Sequence, residues 1–154
     1  MNKTAIVDSL RAQLKAQYER AVAALAGAHE AATGDDAKAE GKYDTRGLEA
    51  SYLAAGQATQ ADELKQSLVL FESFEFPDFD LDDPIAPGAL VEGELDGETV
   101  FFLLAPAGGG LTCESAEGET VTILGPAAPL RGQLIDRSAG DILENPPLMI
   151  LEIV

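Results

Sequence analysis

The stretch Phe76-Pro77-Asp78-Phe79-Asp80-Leu81-Asp82-Asp83-Pro84 separates two halves of the chain that differ in composition and in hydrophobic period. All 8 prolines lie after Phe76, together with 10 of the 15 glycines. Residues 1–75 carry 8 basic and 12 acidic side chains, whereas residues 76–154 carry 2 basic and 15 acidic ones. Such a change is typical of a domain boundary. We therefore predict a helical region over 1–75, a solvated linker over 76–84 and a second domain over 85–154.

The half before this linker has the apolar spacing of long helices. Between Asn2 and Ala32, apolar side chains recur at intervals of 3 and 4, and a second such pattern runs from Asp44 to Glu75. The two predicted stripes comprise Ile6, Leu10, Leu14, Tyr18, Val22 and Leu25, then Leu48, Tyr52, Ala55, Leu64, Leu68 and Phe71. Two consecutive amphipathic helices bury such stripes most simply against each other. The sequence predicts an antiparallel helical hairpin of the coiled-coil type, with an acidic tip at about 33–44.

The half after the linker has the pattern of short strands separated by turns. Asp96-Gly97 is a two-residue hairpin signal between two apolar segments. Residues 129–135 have the composition of one or two helical turns, and Leu148 to Val154 is apolar on both faces except at Glu152. The latter pattern favours a strand inside the sheet. The expected fold class is α+β, with a small, mostly antiparallel sheet after the helical hairpin.

Composition excludes several classes of function. Of 154 residues, 10 are Lys or Arg and 27 are Asp or Glu, a formal net charge of −17, which opposes binding to double-stranded DNA or to anionic membranes. One cysteine, Cys113, excludes an internal disulfide, and we expect it to be a small buried hydrophobe. No apolar run is long enough to span a membrane, and Asp8 interrupts the apolar start of the chain. We expect a cytoplasmic monomer.

Two sets of motifs resemble the Gre family of bacterial transcript cleavage factors. At the predicted tip, Gly34-Asp35 and Tyr43 are similar to the family's Gly-Asp…Glu-Asn-x-Glu-Tyr loop. In the second half, Pro129-Leu130, Leu134-Ile135 and Gly140-Asp141 are similar to its Ser-Pro-Leu-Gly…Ala-Leu-Leu-Gly…Gly-Asp run. The resemblance covers nearly the whole chain and implies an FKBP-like fold for the second domain.

The resemblance also implies a function. Family members bind RNA polymerase and insert the hairpin into its secondary channel, where tip carboxylates help the polymerase hold a second Mg²⁺ for cleavage of backtracked RNA. Carried over to this chain, Asp35, Asp36 and Glu40 are the donated catalytic carboxylates, Asp35 and Asp36 the Mg²⁺ ligands, and Pro129-Leu130 the polymerase contact. Carboxylate oxygens suit Mg²⁺. The chain is then an accessory factor of transcription elongation with no cofactor of its own, and the polymerase is the enzyme.

Departures from the family pattern leave other functions open. Lys38 stands where the family places a second acidic residue, Ala128 replaces the serine of the Ser-Pro pair, and Arg131-Gly132 reverses the usual Gly-Arg order. A Gre-like protein that occupies the channel and inhibits or modulates the polymerase without cleavage is therefore an alternative. A more distant alternative is an FKBP-like folding helper or interaction module. Such a folding helper needs an aromatic-lined pocket, and the second half offers only four phenylalanines, without Trp or Tyr.

Overall fold

The structure is a computed structural model that describes residues 1–33 and 46–154. In this part of the chain, the helices are α1 (Lys3–Thr33), α2 (Arg46–Ser73) and α3 (Pro129–Leu134). The strands are β1 (Leu90–Leu95), β2 (Glu98–Leu104), β3 (Thr112–Glu114), β4 (Thr120–Leu124), β5 (Ile142–Glu144) and β6 (Pro147–Ile153). The chain is therefore α+β, with two long helices before a sheet. The predicted tip, with Asp35, Asp36, Glu40 and Lys38, lies outside the described residues.

The described residues group into two compact units that do not follow the linker. One unit contains Met1–Arg11 together with Val69–Val154, and the other contains Ala12–Leu68. The start of α1 and the end of α2 therefore belong to the same unit as the sheet. The division predicted at 76–84 was based on a change of local sequence pattern, whereas the compact units are defined by which residues pack together.

The buried stripes of α1 and α2 differ from the predicted ones at several positions. In α1, Val22 is 41% exposed, and burial passes instead through Leu14, Ala21 and Ala28, which are spaced by seven residues. In α2, Leu48 and Tyr52 are exposed, and the buried or half-buried positions run through Ala61, Leu64, Leu68 and Phe71. The predicted stripes consisted mainly of the larger apolar side chains. Ala21, Ala28 and Ala61 occupy part of the buried face because small side chains allow close helix approach, whereas Val22 and Tyr52 lie outside it.

The six strands form one sheet in the order β3-β4-β2-β1-β6-β5. Neighbours are antiparallel except β2 and β4, which are parallel. The β1–β2 hairpin turns at Asp96 and Gly97, which both have positive φ, as the two-residue turn signal predicted. Strand β6 has neighbours on both sides, as expected, but one of them is the short edge strand β5, which was not among the predicted strands.

A core cluster lies between one face of the sheet and α3. It includes Val91, Leu148 and Ile150 from strands β1 and β6, and Leu134 from α3, all at most 1% exposed. Side chains alternate between the two faces of a strand, so the neighbours of these residues face the other way. On that second face, Leu90, Phe101, Leu103, Val121 and Ile123 are also buried.

The predicted linker is packed in part. The ring of Phe76 lies 5.3 Å from that of Phe71 and 4.9 Å from that of Phe74, measured between centroids. The Lys3 ammonium donates to Pro77 O and lies 5.1 Å from the centroid of the Phe79 ring. Burial lowers the pKa of Lys3, and the nearby Asp78 carboxylate acts in the opposite direction. Asp78, Asp80 and Asp82 are exposed and Asp83 is half-buried, but Phe76 and Phe79 fix the segment against its own unit.

Candidate functional site

Helix α3 carries the motif Pro129-Leu130 and is the candidate site within the described residues. Proline fixes φ and is tolerated at the first helical position, so Pro129 begins the helix after Ala128, which provides no side-chain cap. Leu134, at the other end, is fully buried and anchors the helix in the core. Leu130 packs partly against the same core, whereas Pro129 is exposed. The motif therefore presents proline to solvent and uses leucine as an anchor.

Arg131 connects α3 to the ends of the parallel strands β2 and β4. Its Nη1 donates to Ala105 O and, at 3.2 Å, to Leu124 O. The N–H of Ala105 donates to Leu124 O at 3.1 Å, which continues the parallel ladder by one residue. In that ladder the next donor to Ala105 O would be the N–H of residue 126. That residue is Pro126, which has no N–H, and the Arg131 guanidinium supplies the donor instead.

The Arg131 side chain is partly buried away from water. Burial lowers the pKa of its guanidinium, which nevertheless remains a cation at neutral pH because the ordinary pKa of arginine lies far above that range. A cation held against two carbonyl oxygens at the strand ends fixes the start of α3. Arg131 is therefore a positioning residue for the surface formed by Pro129.

The loops beside α3 are held close to each other by glycine. A Cβ on Gly125 would lie 3.1 Å from Gly109 Cα, and a Cβ on Gly109 would lie 3.1 Å from Gly125 N. The segment after Gly125 turns back on itself, since Ala128 N–H donates to Gly125 O at 3.1 Å. Pro126, Ala127 and Pro129 are exposed on this turn. Two prolines and a tight turn make this surface rigid and apolar, which suits contact with another protein.

The structure locates only some of the predicted site residues. Pro129 and Leu130 lie together at the start of α3. Asp35, Asp36 and Glu40 fall outside the described residues. Arg131 and Pro126 were not among the predicted site residues. The available signal was local, because Pro126 comes two residues after the end of β4 and has no backbone N–H to donate there.

Neither a metal cluster nor a membrane span is found in the described ranges. Within residues 1–33 and 46–154, no group of three His, Cys, Asp or Glu side chains could hold a metal ion. None of the helices in those ranges is sufficiently long and apolar to cross a membrane. Cys113 lies in β3, buried as expected, and burial raises the pKa of its thiol.

Comparison with known proteins finds matches among solved structures. No family model matches the chain, and neither does any curated protein. Among solved structures, the chain is similar to GreA factor homolog 1 (Gfh1) of Thermus thermophilus, with 16% sequence identity, a TM-score of 0.37 and coverage of 94% of each chain. At these values the similarity establishes neither family membership nor function.

Proposed function

We propose that this chain is a Gre-like transcription factor that binds RNA polymerase, inserts its paired helices into the secondary channel and modulates elongation. The observation that carries the proposal is the order of elements. Two helices of 31 and 28 residues precede a sheet, and the short helix α3, which lies in sequence among the strands, begins with Pro129-Leu130. Two long helices followed by a sheet domain is the order that the sequence motifs imply, and it supports the proposal.

The helices support an antiparallel pairing. Residues Lys3 to Arg11 of α1 line one groove together with Glu72 to Phe76. Farther along α1, Gln17 to Ala24 line another groove together with Gln57 to Leu64 of α2. Later residues of α1 thus lie beside earlier residues of α2, as in a hairpin. At 1.5 Å per residue, α1 alone is about 45 Å long, a length that suits insertion into a deep channel.

The surface at the start of α3 supports a polymerase contact. Pro126 and Pro129 are exposed and rigid, so little conformational entropy is lost when a partner covers them. Residues 76–154 carry 15 acidic and 2 basic side chains. Such a surface favours a basic partner rim, and its attraction weakens with salt.

The tip residues determine which of two modes the proposal takes. Asp35, Asp36 and Glu40 have the donor chemistry that Mg²⁺ prefers, which fits stimulated cleavage by the polymerase. Lys38, a cation at the expected place of the second carboxylate, favours the other mode, in which the chain occupies the channel without cleavage. The folding-helper alternative gains little support, because Phe79 and Phe102 pack against the core cluster.

Binding to bacterial core RNA polymerase tests the proposal. The wild-type full-length chain should bind, and Pro129→Asp, an exposed change, should weaken binding at least about tenfold while leaving the circular dichroism spectrum unchanged. Leu81→Asp, an exposed change in the linker, is the matched control and should bind normally. Absence of binding by the wild type, or prolyl isomerase activity on a model peptide, would refute the proposal.

Cleavage of RNA in a stalled complex separates the two modes. Asp35→Asn together with Asp36→Asn removes two charges with little change in size, so folding and polymerase binding should persist. In the cleavage mode this variant loses stimulated cleavage, since a metal ligand needs the charge. In the other mode the wild type gives no cleavage and the variant changes inhibition. Asp80→Asn with Asp82→Asn is the charge-matched control. A tip variant that equals wild type in both assays would show that the tip carboxylates have neither role.

A further inference from the structure

The face of the sheet away from α3 carries an exposed apolar group on strands β5 and β6. Leu143, Leu148 and Ile150 point into the core on the α3 side. Because side chains alternate along a strand, Ile142 and Met149 point to the opposite face, and the two lie directly opposite each other across the strand pair. The exposed apolar side chains are Ile142 at 60%, Met149 at 39% and Leu151 at 41%.

An irregularity in the sheet adds Leu151 to this group. The register between β1 and β6 shifts between Glu92 and Gly93, as at a β-bulge. Two consecutive residues of β6, Leu151 and Glu152, are then both exposed, although a regular strand would bury one of them. The bulge therefore widens the exposed apolar area instead of covering it.

Glutamates surround these three apolar side chains. Glu94 lies opposite Met149, and Glu92 lies opposite Glu152, across the β1–β6 pair. Glu144 ends β5. Like charges directly opposite each other destabilise a sheet. Within residues 1–33 and 46–154, no salt bridge joins a cation to Glu92, Glu94, Glu144 or Glu152, so no described cation compensates these carboxylates.

We propose that this surface binds a basic amphipathic helix of a partner protein. The surface, called here the glutamate-rimmed patch, comprises Ile142, Met149, Leu151, Glu92, Glu94, Glu144 and Glu152. An apolar stripe on the partner helix covers the three central side chains. Lysines or arginines flanking that stripe meet the glutamates and relieve the repulsion between Glu92 and Glu152.

Geometry and charge favour this partner over others. Strand addition at the sheet edge is disfavoured because β5 has only three residues, too few to template a stable pairing. Anionic membranes and nucleic acids would be repelled by the four carboxylates. Three adjacent strands span about 10 Å between the outer two, which matches the diameter of one helix.

This inference goes beyond the proposed function and does not depend on it. The glutamate-rimmed patch lies on the opposite face of the sheet from α3, the helix proposed to contact the polymerase. Loss of one surface should leave the other intact. Pro129→Asp should therefore leave binding at the patch unchanged.

The test uses a synthetic peptide of about 14 residues, four helical turns, with leucines on one face and lysines on the other. The full-length chain, labelled with ¹⁵N, is titrated with this peptide, and amide shifts are followed by NMR. Shifts should concentrate on β1, β5 and β6. The variant Glu94→Lys with Glu152→Lys should bind about tenfold more weakly, because two attractive contacts become repulsive. Met149→Ser should also weaken binding.

The matched control is Asp80→Lys with Asp82→Lys, which changes the net charge of the chain by the same amount. It should leave peptide affinity within about twofold of wild type. If both double variants weaken binding equally, the peptide responds to overall charge and the proposal is wrong. Shifts spread over the chain, or centred on another surface, also overturn it. A peptide with glutamate in place of lysine should not bind, and binding by it would contradict the charge argument.

Discussion

Replacing Arg131 by methionine tests how α3 is held on the sheet. Arg131→Met keeps much of the aliphatic stem and removes the donor that reaches Ala105 O and Leu124 O. Leu124 O keeps the bond from Ala105 N–H. Ala105 is fully buried, and Pro126 cannot donate to its carbonyl, so that oxygen loses its donor. The cost is then mainly that of a buried, unsatisfied acceptor.

The expected loss can be stated as a free energy. Hydrogen bonds to a charged donor contribute about 1.5–3 kcal/mol, so we expect the free energy of unfolding to fall by about 2 kcal/mol. With a urea m-value near 2 kcal/mol per M, the midpoint should fall by about 1 M. Arg131→Lys keeps the charge but loses the planar fork, and its midpoint should lie between those of wild type and Arg131→Met.

Cys113 provides a probe for this unit of the structure. It is the only cysteine in the sequence, and it is buried in β3, so its reaction with a thiol reagent across a urea series reports unfolding of the sheet. Arg137→Met, at an exposed arginine nearby in sequence, is the control and should match wild type. If Arg131→Met also unfolds at the wild-type midpoint, Arg131 does not hold the strand ends together and the account of its role is wrong.

Two further predictions follow from burial. Gly93→Ala should lower the free energy of unfolding by about 1–3 kcal/mol, because the added Cβ would lie 2.7 Å from Leu148 Cδ1 and 3.0 Å from Met149 O; a urea midpoint equal to that of wild type would contradict this. Burial raises the pKa of the Cys113 thiol above its value in the unfolded chain. The neutral thiol is therefore favoured in the folded state, and the free energy of unfolding should fall as the pH rises above about 8.5. Cys113→Ala should reduce that alkaline decline, and an unchanged pH dependence of the urea midpoint would show that the cysteine does not cause it.

Local patterns in the sequence predicted the elements well. Helices expected over 2–32 and 44–75 are found at Lys3–Thr33 and Arg46–Ser73, because their apolar periodicity persists over many turns. The Asp96-Gly97 turn was confirmed because positive φ at both positions strongly restricts the residue types. The short helix over 129–135 was confirmed as α3, which begins at a proline.

Long-range pairing and burial were harder to predict. The parallel pairing of β2 with β4 joins strands that are separated by β3, and no local pattern specifies it. Strand β5 has three residues, too short for a periodic signal. Leu48 and Tyr52 were expected in the buried stripe of α2 but are exposed, whereas the small Ala61 is buried, because side-chain size alone does not determine which face of a helix is covered. At the site, Pro129 and Leu130 were predicted from motifs alone. The role of Arg131 could not be predicted in this way, because it depends on where the ends of β2 and β4 lie in the structure.

The division of the chain into units has a consequence for protein engineering. Residues 12–68 are an insertion in sequence terms, since the unit containing the sheet is built from segments on both sides of them. Cutting at the linker would remove Ile6, Val7, Leu10 and Phe71, all at most 3% exposed, from the unit to which they belong. A fragment starting at residue 76 would then expose their apolar partners and aggregate. An excision that joins residue 11 to residue 69 by a short turn would instead preserve those side chains. The helical insert is therefore the exchangeable module, and chimaeras should be joined within the helices.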